Sequence, residues 1–155
     1  MSPAERLRFW ILAAQRDGHR LLAEALAPIG LTPAQAEVLA IVDECGALSL
    51  QGVGDRLVCE TGRPSRLVDA IVNAGLLRRE DDPSDRRRLT LTLTTEGRRA
   101  LRRARKVEAT LHDYIASVLS PDELAVITAA LQRLTANLPA GRSLMTRTKA
   151  SGRSP

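Results

Sequence analysis

Residues 61–93 read TGRPSRLVDAIVNAGLLRREDDPSDRRRLTLTL, and the period of their apolar positions changes part-way along. Leu67, Val68, Ile71 and Val72 recur three and four apart, the spacing of one helical face. Thr61 offers a hydroxyl cap, Pro64 falls in the first turn where its missing N–H costs little, and Gly75 is a natural stop. A helix over 62–74 follows. Leu89, Leu91 and Leu93 instead alternate with Thr90 and Thr92, the period of a half-buried strand. Leu76, Leu77 and Arg78 lead into the acidic turn-rich stretch 80–85, so the second part is a two-stranded hairpin.

On either side of this stretch, three segments open with the same chemistry: Ser2-Pro3-Ala4-Glu5, Thr32-Pro33-Ala34-Gln35 and Ser120-Pro121-Asp122-Glu123. Each has a hydroxyl cap, a proline at the first helical position and Glu or Gln three residues after the cap, which together satisfy the unpaired N–H groups of a helix start. The first predicted helix covers 3–27, with Leu7, Trp10, Ile11, Ala14, Leu21, Leu22 and Ala25 on one face and Gly18 weakening its middle. The second covers 33–44, with Ala36, Val38, Leu39, Ile41 and Val42 apolar and Gly46 as its stop. Ser49 caps a third over 50–57, expected to bury Leu50, Val53 and Leu57. Thr94 caps a long helix over 95–119, with Leu101, Ala104, Leu111, Ile115 and Val118 on its buried side. The last helix, 121–138, buries Leu124, Ile127, Leu131 and Leu134. Residues 140–155 show no apolar periodicity and are expected to form a disordered basic tail. The fold class is mainly α with a small β-hairpin.

The 155 residues suit one domain, or one domain with a dimerisation extension. Apolar residues make up 44% and charged residues 26%, too apolar for a disordered chain and too charged for a membrane protein. No stretch approaches a membrane span and the start lacks the apolar core of a signal peptide, so a reducing cytoplasm is the expected location. The aromatic residues are Phe9, Trp10 and Tyr114, too few for the stacking platforms of single-strand nucleic-acid modules. Charge is unevenly spread. Residues 78–106 carry 11 Lys/Arg against 5 Asp/Glu, whereas 1–77 carry 7 against 9. A basic block in a small protein points to a polyanion such as nucleic acid, or to a solvated Arg-rich helix face.

Three short helices followed by a hairpin make a winged helix-turn-helix. Helix three, a turn at 58–60 and helix four form the helix-turn-helix, whose second helix enters the DNA major groove. The start of helix four supplies Thr61, Gly62, Arg63, Pro64, Ser65 and Arg66. Short polar groups at a helix N-terminus hold phosphates, Arg63 can read a guanine edge, and Pro64 can touch a thymine methyl. The hairpin tip carries Asp85, Arg86, Arg87 and Arg88, and an arginine there can reach the negative minor groove while Asp85 orients it.

With these residues in view, the chain from 31 to about 100 resembles the MarR family of winged helix-turn-helix regulators. The matching stretches are Leu-Thr-Pro-Ala-Gln (31–35), Leu-Ser-Leu (48–50), Ser-Arg-Leu-Val-Asp (65–69), Ala-Gly-Leu-Leu-Arg-Arg (74–79), Asp-Pro-Ser-Asp-Arg-Arg (82–87) and Leu-Thr-Thr-Glu-Gly (93–97). The resemblance implies a winged helix-turn-helix over 31–106 flanked by N- and C-terminal dimerisation helices, 1–30 and 107–139. It implies a homodimer on a near-palindromic double-stranded DNA operator, a repressor released by a small-molecule or oxidant effector. DNA contacts then fall on Ser49, on 61–66, and on Asp85, Arg86 and Arg87. A small aromatic effector would sit between the dimerisation helices and the DNA-binding part, where Trp10, His19 and Tyr114 are the candidate lining residues. Two positions depart from the family pattern. Glu60 replaces a small polar residue, and Pro64 replaces a residue that often faces the groove.

Other chemistry is thinly represented. Cys45 ends a helix, where the dipole disfavours a thiolate, and Cys59 lies in the turn at a position usually apolar and packed. His19 and His112 lack neighbours at metal-ligand spacing, so no metal and no cofactor is expected. No nucleophile–base arrangement or glycine-rich phosphate loop is visible, and an enzyme is not expected. Two alternatives stand beside the regulator: a protein-interaction module on this fold without operator binding, favoured by Glu60 and Pro64, and a thiol-dependent redox enzyme.

Overall fold

In a computed structural model of the chain, residues 1–59, 64–82 and 88–151 are described, the last two by backbone alone. Among these residues, seven helices and one hairpin follow in order: α1 Pro3–Leu26, α2 Pro33–Cys45, α3 Leu50–Gly54, α4 Pro64–Asn73, β1 Leu77–Asp81, β2 Leu89–Leu93, α5 Thr95–Val118, α6 Pro121–Thr135 and α7 Pro139–Ser151. A 3-10 turn, Ala27–Ile29, links α1 to α2. The three capping boxes form as the spacing predicts, each with both reciprocal hydrogen bonds. Ser49 caps α3 by accepting from the Gly52 N–H at 3.1 Å, and Thr94 caps α5 by accepting from the Gly97 N–H at 2.9 Å.

The core is built on α2. Ala36, Val38, Leu39, Ala40, Ile41 and Val42 are all buried, so this helix is covered on nearly every side. Leu26 from α1, Val53 from α3, Val68 and Ile71 from α4, Leu77, Leu91 and Leu93 from the hairpin, and Leu101 and Ala104 from α5 close around it. The strands pair antiparallel, Leu77 opposite Leu93 and Asp81 opposite Leu89. Leu48 adds a two-way backbone bridge to Leu91, at 2.7 and 3.3 Å, which lays the segment before α3 along the hairpin.

Two glycines make the junction into α5. Gly75 has φ 73°, a left-handed conformation that suits glycine, and the Leu76 N–H returns to the Ile71 carbonyl to close α4. At Gly97 a Cβ would stand 1.9 Å from the Leu76 carbonyl oxygen, so only glycine lets α5 start against the end of α4. Thr94 completes the junction by donating its hydroxyl to the Gly75 carbonyl at 2.6 Å.

Several expectations need correction. Helix α3 stops at Gly54 rather than 57, and Leu50 is exposed while Val53 and Leu57 are buried. The apolar faces expected to be buried on α5 and α6 are covered in one copy only where α5 meets α1 and α2: Ile115 and Val118 are exposed, and α6 has no buried residue. The expected tail is α7 through Ser151, and residues 152–155 lie outside the described part. Periodicity missed this helix because charge, not an apolar stripe, anchors it. The Arg147 fork binds Glu44 through Nε and Nη2, each at 2.8 Å. Among the described residues no single helix is long and apolar enough to cross a membrane, and no group of three His, Cys, Asp or Glu side chains is placed to hold a metal.

Candidate nucleic-acid interface

Helix α4 is held from three sides, by α2, α3 and β1. Its apolar edge, Val68 and Ile71, enters the core, while Arg66 and Asp69 remain exposed. Asp69 pairs with Arg79 on β1, tying the helix to the hairpin that follows it. The α3–α4 contact is close. A Cβ on Gly54 would lie 3.2 Å from Pro64 Cγ, so the proline ring sits over a position kept bare for it. Pro64, one of the candidate base-facing residues, is half-buried in this contact and acts in packing. Ser65 is half-buried beside it, and Arg66 is the exposed cation of the described first turn. Ser49 is half-buried with its oxygen engaged in capping α3. Thr61, Gly62 and Arg63, with Asp85, Arg86 and Arg87 of the wing, lie outside the described residues, as does Glu60.

The segment after α3, as far as Cys59, is held by a residue that no motif singles out. Glu37 on α2 is 8% exposed and is the only buried carboxylate among the described residues. Its Oε1 accepts the Val58 N–H at 3.0 Å and its Oε2 the Cys59 N–H at 2.7 Å. A buried carboxylate is tolerated only when hydrogen-bonded and paired, and Arg147 Nη1 supplies the cation at 3.4 Å. The signal was present in principle: a lone acid inside the otherwise apolar 36–42 run. Cys59 is exposed rather than packed, yet desolvation of its thiol and the facing Glu37 carboxylate push it up to about 12. A thiol so held stays protonated near neutral pH and lacks the thiolate character that oxidant sensing requires.

The three candidate effector residues do not converge. Trp10 lies in a cleft of about 510 Å³ with Phe9, Leu12 and Arg6 on α1. His19 lies in another, with Gln15 and Arg20. Tyr114 lines an apolar cleft of about 240 Å³ between α1 and α5, with Leu21, Leu22, Ala25, Val107 and Leu111.

Known proteins share this geometry. Residues 31–97 match the winged helix DNA-binding domain family. The chain is 32% identical over 108 residues to the HTH-type transcriptional regulator MhqR of Bacillus subtilis, covering 70% of this chain and 74% of that protein. It is similar to the transcriptional repressor CouR bound to a 23-mer DNA duplex, with 31% identity, TM-score 0.75, and coverage of 85% of this chain and 94% of that one. It is also similar to a mutant MarR from Escherichia coli complexed with operator DNA, with 27% identity, TM-score 0.74, and coverage of 83% and 93%. The chain belongs to the MarR family of winged helix-turn-helix transcriptional regulators. It spans 53% to 74% of the length of the first curated Bacillus subtilis relatives it matches. Within a winged helix-turn-helix, α3 and α4 are the helix pair and β1 and β2 the wing.

Proposed function

We propose that this MarR-family chain is a dimeric, sequence-specific DNA-binding regulator of transcription, acting as a repressor at a near-palindromic operator in the cytoplasm. One observation carries this reading: α4 is seated on α2 and α3 through the Gly54–Pro64 contact and is followed directly by a two-stranded wing, the arrangement that presents a helix to a major groove. Thr61, Gly62, Arg63, Ser65 and Arg66 supply its groove contacts, Ser49 a phosphate contact, and Asp85, Arg86 and Arg87 the wing. Pro64 packs against Gly54 and belongs to the same candidate contact set.

The apolar cleft beside Tyr114 has room for one aromatic ring, and occupancy there by a small aromatic effector releases the operator. The test is a mobility shift on a duplex from the region upstream of the protein's own gene, run across a salt series. Binding should exceed that to a scrambled duplex and fall steeply with salt. Arg87→Ala should flatten the salt slope by about one counterion per subunit. Equal binding to the scrambled duplex overturns the reading.

A further inference from the structure

Helix α7 follows α6 after a break at 136–138, packs against it and seats on α2. It approaches the end of α6 closely, since a Cβ on Gly141 would lie 2.1 Å from the Thr135 carbonyl oxygen. From this helix Arg147 grips Glu44 with two nitrogens, each at 2.8 Å, and reaches Glu37 with a third at 3.4 Å. Glu37 in turn receives the backbone N–H groups of Val58 and Cys59. Pro64, the first residue of α4, is five positions beyond Cys59. The grip is partly buried: the Arg147 side chain is 22% exposed. Helix α2 is packed on nearly all sides, so the Glu37 backbone has little freedom, and its carboxylate orientation is set by what it binds.

We propose that Arg147 is a positioning residue for DNA recognition: it holds the Glu37 carboxylate against the turn from which the DNA-reading helix starts, so that docking of α7 sets the pose of α4. This rests on the DNA-binding reading above. Without Arg147, Glu37 is a buried anion with no ion-pair partner among the described residues, and turning it toward water relieves that cost while releasing Val58 and Cys59. The C-terminal arm, which carries an uncovered apolar face on α6, is thereby joined to the helix-turn-helix.

The experiment uses the full chain and compares Arg147→Gln with Lys149→Gln, an equal charge change at an exposed site on the same helix. The probe is the upstream duplex. Arg147→Gln should weaken binding roughly 2- to 30-fold beyond Lys149→Gln. Amide hydrogen exchange at Val58 and Cys59 should accelerate, with Leu39 and Ile41 unchanged. The double variant with Glu37→Gln should bind no worse than the weaker single variant, because both act on one linkage. Alkylation of Cys59 gives a readout that charge loss does not imitate, and unchanged exchange at Leu39 and Ile41 separates release of the turn from general destabilisation. The nearby Arg147 cation lowers this thiol's pKa, so loss of charge alone slows alkylation, whereas release of the turn takes the thiol away from the Glu37 carboxylate that raises it and speeds the reaction. Equal binding losses for Arg147→Gln and Lys149→Gln, or unchanged exchange at Val58 and Cys59, overturns the proposal. If the wild-type chain binds no duplex specifically, the DNA-binding reading fails, and the exchange and alkylation rates still decide whether α7 controls the turn.

Discussion

Individual side chains divide between those that hold the helix-turn-helix and those that read DNA. Glu37 and Pro64 hold it, the first through two backbone amides and the second through Gly54. Arg63 is the base-reading arginine expected from the sequence. Arg63→Ala should cost about 1–3 kcal/mol on the operator and much less on random DNA, and equal losses would reassign it to phosphate contact. Cys59 reports on the turn. Its thiol is raised from 9.0 to about 12, so the folded protein keeps it protonated through the range where an ordinary cysteine ionises. The sign follows: at pH 9 a Cys59 thiol with pKa 9.0 is half thiolate, while the folded one, at about 12, is ionised only to roughly one part in a thousand. Iodoacetamide should therefore label native Cys59 slowly at pH 8 and rapidly in denaturant, and the native rate should keep climbing beyond about pH 10. A native rate that levels off near the ordinary thiol pKa would contradict the environment described.

Among the helices and strands, the junction between α4, the hairpin and α5 decides how the wing sits. Gly97 lies in the Leu-Thr-Thr-Glu-Gly stretch, and the Leu76 carbonyl occupies the space its side chain would need. Gly97→Ala should lower stability by about 1–3 kcal/mol through overpacking. Gly18, in the middle of α1, has open space where a methyl group would stand, with nothing within 4 Å, and Gly18→Ala should stabilise by about 0.5–1 kcal/mol through helix propensity. Chemical denaturation of the two variants checks both signs. The wing itself was legible from its period-2 leucines: Leu91 and Leu93 enter the core while Leu89, at the open end, is exposed, although Thr90 on the other face is buried as well. The bridge from Leu48 was not legible, since a pair of hydrogen bonds at one residue leaves no periodicity.

Across the whole chain, α1, α5 and α6 carry apolar side chains that one copy leaves uncovered. Trp10 is 73% exposed, and Leu7, Val118, Val126, Leu134 and Leu138 are each more than half exposed. An extensive apolar surface of this kind marks an interface. Sedimentation should show a dimer at micromolar concentration, and Leu131→Glu on α6 should shift it to monomer and weaken operator binding with it. A folded wild-type monomer at that concentration would refute the dimer.

Elements whose signal is local were readable from the residues alone. Capping boxes, proline at the first turn, and the switch from period 3.6 to period 2 act over a few residues, and the helix starts at Pro3, Pro33 and Pro121 follow from them. The order of these elements, with the Asp-Pro-Ser-Asp-Arg-Arg and Leu-Thr-Thr-Glu-Gly stretches, also sufficed for the family. Whatever depends on partners distant along the chain had to wait for the folded molecule. Residues 139–151 form a helix there because Arg147 finds Glu44 and Glu37 more than a hundred positions away. That Pro64 packs on α3 is visible only in the fold, because Gly54 leaves a space for the ring. Trp10, His19 and Tyr114 are separated because α1 is one continuous helix: its length carries Trp10 away from the α1–α5 cleft that holds Tyr114, and His19, though near that cleft along the axis, lies with Gln15 and Arg20 in another. Backbone preference is encoded within a turn of helix, whereas charge pairing and close approach are settled only when the chain brings distant atoms together.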